Sequence, residues 1–554
     1  MKGTYLFVAA AIAGITLAGF FFFPGHTYLQ SDTQIYLPIL ERYWDPTLFS
    51  REILAQHPHV SFTIYDEIAP LLRKITGLDF EYVLAAQQIV FRALGILGVF
   101  LIATSMGLSK RMALLAASTF ALGATIGGPT VLTVEYEPVP RGFAVPLVIL
   151  AIGLAAHGRD WGAGAAASVA FLYHAPTTLP FWIIYFCMTL WPTRPAIMSR
   201  HIAGLLPLLS GVLVLFVFSR LQPGVTEPQD LLSRIGPQLE QFMRMRAPYN
   251  WVSMWQRYWF WHYGFLCAVC LVTYLRLRRL APTDLKFFLA GLPLLGAASI
   301  PVSYFLLEGL KWSLVPQVQP ARTVLFITAL AGILAAVAGL RAIQNGRLAE
   351  GIAWLVVCYA VPVNPRMLDV LLPRLDDPLV RRRVAVVVIL AAATALAAWA
   401  QARARRWAPA PLLVALALPL FLIPGFGRLD NYPCLHTPEL DELAHWARVS
   451  TPKDAVFVFP EAGKGLEPGI FRAKALRAVY VDWKGGGQVN FLKGLGEEWW
   501  RRWQAAMTDK SKPATLARFA PLEVDYIVLR AGNRLGERLP AYSNARYWVY
   551  GLQR

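Results

Sequence analysis

Residues 5–23 read YLFVAAAIAGITLAGFFFF, and residues 31–38 read SDTQIYLP. The first stretch has no charge and no proline, and its length is close to the roughly 20 residues an α-helix needs to cross the hydrocarbon core. Only Lys2 precedes it, so the positive-inside rule places the loop that follows, and Asp32 within it, on the outer face. The run is longer than a signal-peptide core and has no small-residue cleavage site before Pro24, so it reads as a retained anchor.

The rest of the chain extends this pattern. Of its 554 residues, 56% are hydrophobic and only 16% charged. Apolar runs recur at 83–104, 111–127, 142–157, 162–174, 177–191, 203–219, 258–275, 286–305, 322–340, 350–363, 383–401 and 411–424. With the first run these predict about thirteen transmembrane helices and termini on opposite sides. A soluble globular enzyme is excluded. The formal net charge of +18 is spread through short inter-span loops such as 109–111, 276–279 and 403–406, as orientation and anionic headgroups require. It does not form the basic stripe of a nucleic-acid binder. Cys187, Cys267, Cys270, Cys358 and Cys434 fall mostly within spans and form no legible disulfide framework.

The fold class expected is therefore a polytopic α-helical membrane protein with a C-terminal α/β domain. The transmembrane part covers 1–427, with outer loops at 24–80, 128–141 and 220–257. Residues 428–554 are largely soluble in character and lie on the outer face. There, amphipathic helices at Glu439–Arg448 and Glu497–Ala506 alternate with strand-like runs at Ala455–Phe459, Ala478–Trp483, Asp525–Leu529 and Tyr547–Tyr550. The two readings give a multi-pass protein of a bacterial inner membrane, with a cytoplasmic N-terminus and a periplasmic or extracellular C-terminal domain.

Ionisable groups beside spans are costly unless solvated, paired or used. Four positions qualify: Asp32; Glu135 and Glu137 in Glu-Tyr-Glu, followed by Arg141; His174 at a span end; and Arg322, which opens another. Each has a plainer reading. Asp32 caps a helix through 35–43, Glu135 and Glu137 sit in a solvated loop neutralised by Arg141, His174 is satisfied by a backbone carbonyl, and Arg322 snorkels to the interface. The loop 220–257 adds Arg244, Arg246, Tyr249 and Trp251 with Trp255, Trp259 and Trp261. This is either an interfacial aromatic belt or a loop that closes over substrate. In the tail, Arg472, Lys474, Arg477 and Lys484 precede Gly485-Gly-Gly487, which matches no nucleotide-binding fingerprint and reads as a solvated loop near headgroups.

Asp32-Thr-Gln-Ile-Tyr-Leu-Pro, Glu135-Tyr-Glu137 and Gln319-Pro-Ala-Arg322, in this order of spans and loops, resemble the GT-C superfamily of integral membrane glycosyltransferases, which includes oligosaccharyltransferases, protein O-mannosyltransferases and aminoarabinose transferases. Phe471-Arg-Ala-Lys-Ala-Leu-Arg477 and Val479-Tyr-Val-Asp-Trp-Lys484 resemble uncharacterised bacterial relatives. The resemblance implies inverting transfer of a sugar from a polyprenyl-phosphate donor to a lipid, glycan or protein acceptor at the outer membrane face.

The residues suit such chemistry. Asp32 is placed to act as the base that deprotonates the acceptor. Arg322 and Arg141 meet the donor phosphate, and His174, Arg244, Arg246, Tyr249 and Trp251 contact acceptor or substrate. Glu135 and Glu137 are candidate ligands for a divalent cation, Mg or Mn. The first loop carries Asp-Thr-Gln in place of a pair of acids, which puts metal dependence in question. His57 and His59, as His-Pro-His in the first loop, either supply a ligand or sit in solvent, and solvent is the plainer reading. The alternative function is a non-catalytic scaffold of the same fold, or a lipid or glycan transporter. Acids gathered at span ends, with no internal repeat, argue against transport.

Overall fold

The computed structural model describes residues 2–56, 63–129, 131–221, 232–364, 366–372, 376–429, 435–507, 516–535 and 538–552. His57, His59 and Cys434 lie outside them. The helical body comprises α1 (Lys2–Phe21), α2 (Thr33–Trp44), α3 (Tyr65–Thr76), α4 (Phe80–Ser105), α5 (Lys110–Ala121), α6 (Pro140–Ala156), α7 (Asp160–Leu190), α8 (Pro195–Leu221), α9 (Pro237–Arg246), α10 (Arg257–Leu277), α11 (Thr283–Ser303), α12 (Val315–Val318), α13 (Val324–Gln344), α14 (Leu348–Val363), α15 (Met367–Leu371), α16 (Pro378–Ala402) and α17 (Pro409–Gly425). Among the described residues, 6 helices are long and apolar enough to cross a membrane, and shorter apolar helices at Tyr5–Phe21, Pro140–Ala156, Leu348–Val363 and Pro409–Gly425 accompany them.

The two runs expected at 162–174 and 177–191 form one element, α7, with non-helical backbone at His174 (φ −157°, ψ 88°). Its halves fold back on each other. The Tyr185 hydroxyl lies 3.1 Å from Asp160 Oδ1, whereas 25 residues of straight helix would separate them by about 37 Å. Pro176 and Pro180 follow the reversal, where their missing N–H groups and ring clashes favour a break. His174 is thus carried to one end of the helical body and Asp160 to the other.

The tail supplies α18 (Pro438–Ser450), α19 (Glu467–Ala475), α20 (Lys493–Ala506) and α21 (Leu516–Phe519). Two short strands between α5 and α6, β1 (Thr125–Ile126) and β2 (Val131–Leu132), pair antiparallel. The other strands, β3 (Val456–Val458), β4 (Ala478–Val479), β5 (Tyr526–Arg530), β6 (Tyr542–Ser543) and β7 (Tyr547–Gly551), form one sheet in the order β4-β3-β5-β7-β6. β3 pairs parallel with β4 and β5, and β7 pairs antiparallel with β5 and β6. The parallel β3/β4 pair needs a crossover, and α19 supplies it.

This tail shares its core with the loops. Leu37, Leu40, Phe80 and Phe143 cluster with Phe457, Ile470, Phe471 and Val549. On the other side Phe242, Trp251 and Leu307 cluster with Val458, Tyr480 and Trp499. Apolar burial at roughly 25 cal/mol per Å² therefore fixes the sheet against α2 and the first turns of α4 and α6 and against the 232–257 segment, and brings the turn after β4 to Asp32.

Candidate active site

Asp32 immediately precedes α2, yet its side chain makes no capping hydrogen bond. Glu137 caps the helix instead. Its Oε1 accepts from the backbone N–H groups of Gln30 and Ser31, both at 2.6 Å, and its Oε2 accepts from Thr33 N–H at 3.0 Å. Burial pushes the Glu137 carboxyl up, against the pull of these N–H groups. With the cap supplied from 104 residues away, the Asp32 carboxylate is free to turn to side chains.

It turns to two cations. Asp32 Oδ2 accepts from Arg141 Nη1 at 2.7 Å, and Oδ1 accepts from Lys484 Nζ at 2.8 Å. Burial alone would raise the Asp32 carboxyl, but Lys484 and Arg141 outweigh it and hold the group well below the usual carboxylate range. Arg141 spans the two acids, because its Nε donates to Glu135 Oε1 at 2.7 Å. A side chain at Gly142 would come within 2.9 Å of Glu135 Cβ, so glycine there lets the Glu135 loop sit against the start of α6. Arg92 and Gln88 of α4 hold the same loop by donating to the Glu135 carbonyl at 2.6 and 2.8 Å.

Arg322 completes the group. It lies within electrostatic reach of Arg141, Asp32 and Glu135, lines a small cavity with Arg141, and stacks 5.5 Å above the Tyr249 ring. Its Nε is buried without a hydrogen-bond partner. Unmet buried donors are costly, and a guanidinium left this way beside Arg141 suits an anion. An adjoining cavity of about 230 Å³ is mainly apolar and is lined by Tyr36, His174, Pro176, Leu215, Gln317 and Phe491, among others. His174 stands in that wall, its Nδ1 accepting from Thr177 N–H at 3.2 Å. The larger cavity, about 920 Å³ between Trp44, Arg73, His436 and Lys474, contains neither Asp32 nor its cations. We place the chemistry by the charged groups and not by size.

Lys484 was the least legible member. Its sequence context reads as a solvated loop, whereas its ammonium reaches Asp32 and Ser31 Oγ. The turn that aims it is held by Asp482, which accepts from Lys484 N–H at 3.1 Å and from Arg472 Nη1 at 2.8 Å. The glycine run 485–487 makes room for packing: a side chain at Gly486 would meet the Trp499 ring at 2.6 Å. The one sequence signal was Val479–Lys484 itself, a strand-like run ending in a cation.

Other expected contacts fall elsewhere. Arg244 pairs with Glu240 at 2.9 Å and Glu308 at 3.5 Å and lies 4.0 Å over the Trp251 ring. Arg246 donates to the carbonyls of Trp483 and Lys484 at 2.7 and 3.1 Å. Both guanidinium groups therefore brace loops, and Trp251, 1% exposed, is core and presents no face to a sugar. Tyr249 keeps a place near the site, under Arg322 and accepting from Asn490 Nδ2 at 3.0 Å. The carboxylates of Glu135 and Glu137 do not suit a divalent ion in this arrangement. Glu137 is saturated by three backbone donors, Glu135 is paired with Arg141, and hard cations need free carboxylate oxygens. Cys267 and Cys270 are free thiols.

Residues 438–506 match the family described as Domain of unknown function, DUF6798. No curated protein sequence matches the chain. Among solved structures, the chain aligns over 99% of its length, and 98% of the other chain, with ArnT from Cupriavidus metallidurans in the apo state, at 14% identity and a TM-score of 0.42. It aligns over 96% of its length with 35% of the arabinofuranosyltransferase AftD from Mycobacteria, at the same identity and TM-score. At this TM-score the functional reading rests on the site and not on the likeness.

Proposed function

We propose that the chain is a membrane glycosyltransferase that moves a sugar from a polyprenyl-phosphate donor to an acceptor hydroxyl by inverting transfer, with Asp32 as base. The observation that carries the reading is the convergence of one carboxylate and three cations, Arg141, Lys484 and Arg322, whose Nε has no hydrogen-bond partner, beside an apolar cavity. The cavity takes the first part of the prenyl chain, and the cations take the phosphate.

The chemistry needs one proton acceptor and one charge sink. As the acceptor oxygen attacks the anomeric carbon and the sugar–phosphate bond breaks, its proton passes to Asp32, and the leaving prenyl phosphate gathers charge against Arg322, Arg141 and Lys484. A carboxylate held low by two cations is a weak base. When a phosphate enters, it competes for those same cations, so donor binding relaxes the grip on Asp32 and raises its basicity. The site thereby arms its base only when the donor is present. No metal step is needed, because the three cations carry the charge.

The experiment is transfer by the purified full chain in lipid nanodiscs, with polyprenyl-phosphate sugars offered as donors and inorganic phosphate as competitor. Arg322→Gln should lower turnover about 10²–10³-fold, the usual cost of one preorganised charge donor, and Arg322→Lys should recover only part of it. If the variant binds donor but transfers as well as the native chain, Arg322 is not the phosphate ligand. Lack of transfer from every lipid-linked sugar favours the scaffold reading.

The two acids also fix the pH response. Lys484 and Arg141 hold the Asp32 carboxyl well down, whereas burial pushes the Glu137 carboxyl up. As pH falls, Glu137 takes a proton first, and its hold on the N–H groups of Gln30, Ser31 and Thr33 weakens while Asp32 is still charged. The acid limb of the rate profile should therefore follow Glu137 and flatten in Glu137→Gln, with a lower plateau. A limb unmoved by that substitution would assign it to another group.

A further inference from the structure

Among the described residues, one trio of metal-ligating side chains has its donor atoms within 4.8 Å of one another: Asp160, His201 and Asp284. It lies at the opposite end of the helical body from Asp32, where the first turns of α7 and α11 meet α8. His201 Nε2 is 3.5 Å from Asp284 Oδ2 and 4.0 Å from Asp160 Oδ1. Two ligands of a tetrahedral zinc, each about 2.0–2.1 Å from the metal, stand roughly 3.3 Å apart, so a small contraction would close the trio on an ion.

Two observations beyond the acids point to a cation. His201 is 1% exposed, and its Nδ1 has no hydrogen-bond partner, an expensive state for a buried imidazole, while Nε2 faces the two carboxylates at 3.5 and 4.0 Å. With the imidazole neutral, the charge is also incomplete. Arg200 pairs with both Asp160 and Asp284, so one guanidinium answers two carboxylates, and the Asp160 side chain is 0% exposed. Arg200 itself is 40% exposed on a long flexible stem, able to swing outward and open a path. Tyr185, 3.1 Å from Asp160 Oδ1, is an outer partner of the kind that orients a ligating carboxylate.

We propose that Asp160, His201 and Asp284 form a zinc site that ties the start of α7 to α8 and α11, with Arg200 as the cation that fills it when metal is absent. One imidazole nitrogen and two carboxylate oxygens suit zinc, with water as the fourth ligand. Magnesium prefers all-oxygen octahedral shells. The site is separate from the transfer chemistry and does not depend on the function proposed above.

Chelator-treated full chain in detergent is titrated with ZnSO₄ or MgCl₂ and followed by thermal unfolding, and with CoCl₂ followed by visible absorption. Zinc, and not magnesium, should raise the melting temperature by several degrees, and cobalt should give the intense bands of a four-coordinate ion. Asp284→Asn and His201→Ala should lose both signals. Arg200→Gln, which removes the competing cation, should bind zinc about tenfold more tightly. If the native chain and Arg200→Gln both ignore zinc, the trio is an ion-pair clamp in which a protonated His201 completes the charge. If the zinc response survives in Asp284→Asn, the metal binds elsewhere; either result overturns the proposal. Should His201→Ala fail to fold, Asp284→Asn and the cobalt spectrum still decide.

Discussion

Replacing Asp32 by asparagine should lower transfer about 10²–10⁴-fold, the range for loss of a general base, while donor binding tightens. The second half of that expectation is specific to this geometry. Arg141 and Lys484 each spend a hydrogen bond on Asp32, at 2.7 and 2.8 Å, and the neutral amide returns both cations to the incoming phosphate. The fold should survive, because α2 is capped by Glu137 and not by Asp32. Turnover and donor affinity measured on the same preparation separate the possibilities. An Asp32→Asn variant that retains more than about a tenth of native turnover would remove Asp32 from the base role. Weakened donor binding would mean that the carboxylate holds the cations in place and does not compete with phosphate for them.

Arg472→Met should be the most destabilising single change, at about 3–5 kcal/mol, the cost of removing one partner from a buried ionic network. The Arg472 side chain is 0% exposed. Nη1 meets Asp482 Oδ1 at 2.8 Å, with Glu52 Oε1 at 3.6 Å, and Nη2 donates to the Gln34 carbonyl at 2.8 Å. Glu52 in turn accepts from Val479 N–H at 2.7 Å. One guanidinium thus joins α2 and Glu52 to the tail. Methionine would leave two carboxylates buried without their cation, and burial already pushes the Glu52 carboxyl up against Arg472. Thermal unfolding and limited proteolysis measure the effect. Activity should fall with stability, since Asp482 aims Lys484. Adding Glu52→Gln to Arg472→Met should restore part of the loss, whereas independent costs that simply add would show that the network does not act as a unit.

The sequence by itself determined the local and the periodic. Apolar run lengths located the long apolar helices, since a continuous run needs only neighbouring residues to agree, but not their number: about thirteen spans were expected, and among the described residues 6 helices are long and apolar enough to cross a membrane, with four shorter ones beside them. Alternation in the tail placed β3, β5 and β7 within a residue or two, and Glu439–Arg448 and Glu497–Ala506 fall inside α18 and α20. Asp32, Arg141, Glu135 and Arg322 were legible because charge beside an apolar span is costly and therefore conspicuous. What each side chain does was decided only by tertiary structure. Asp32 and Lys484 are 452 residues apart, and no local pattern encodes their meeting. It follows from apolar cores shared by the loops and the sheet, and from the Arg472 network. The same holds for Glu137, whose partners are the N–H groups of a distant helix start, and for Arg244 and Arg246, whose donors are consumed by groups the sequence does not place beside them. Periodicity fixes which residues are buried. Only the packed fold fixes which charges meet, and in this chain it brings Asp32 between Arg141 and Lys484.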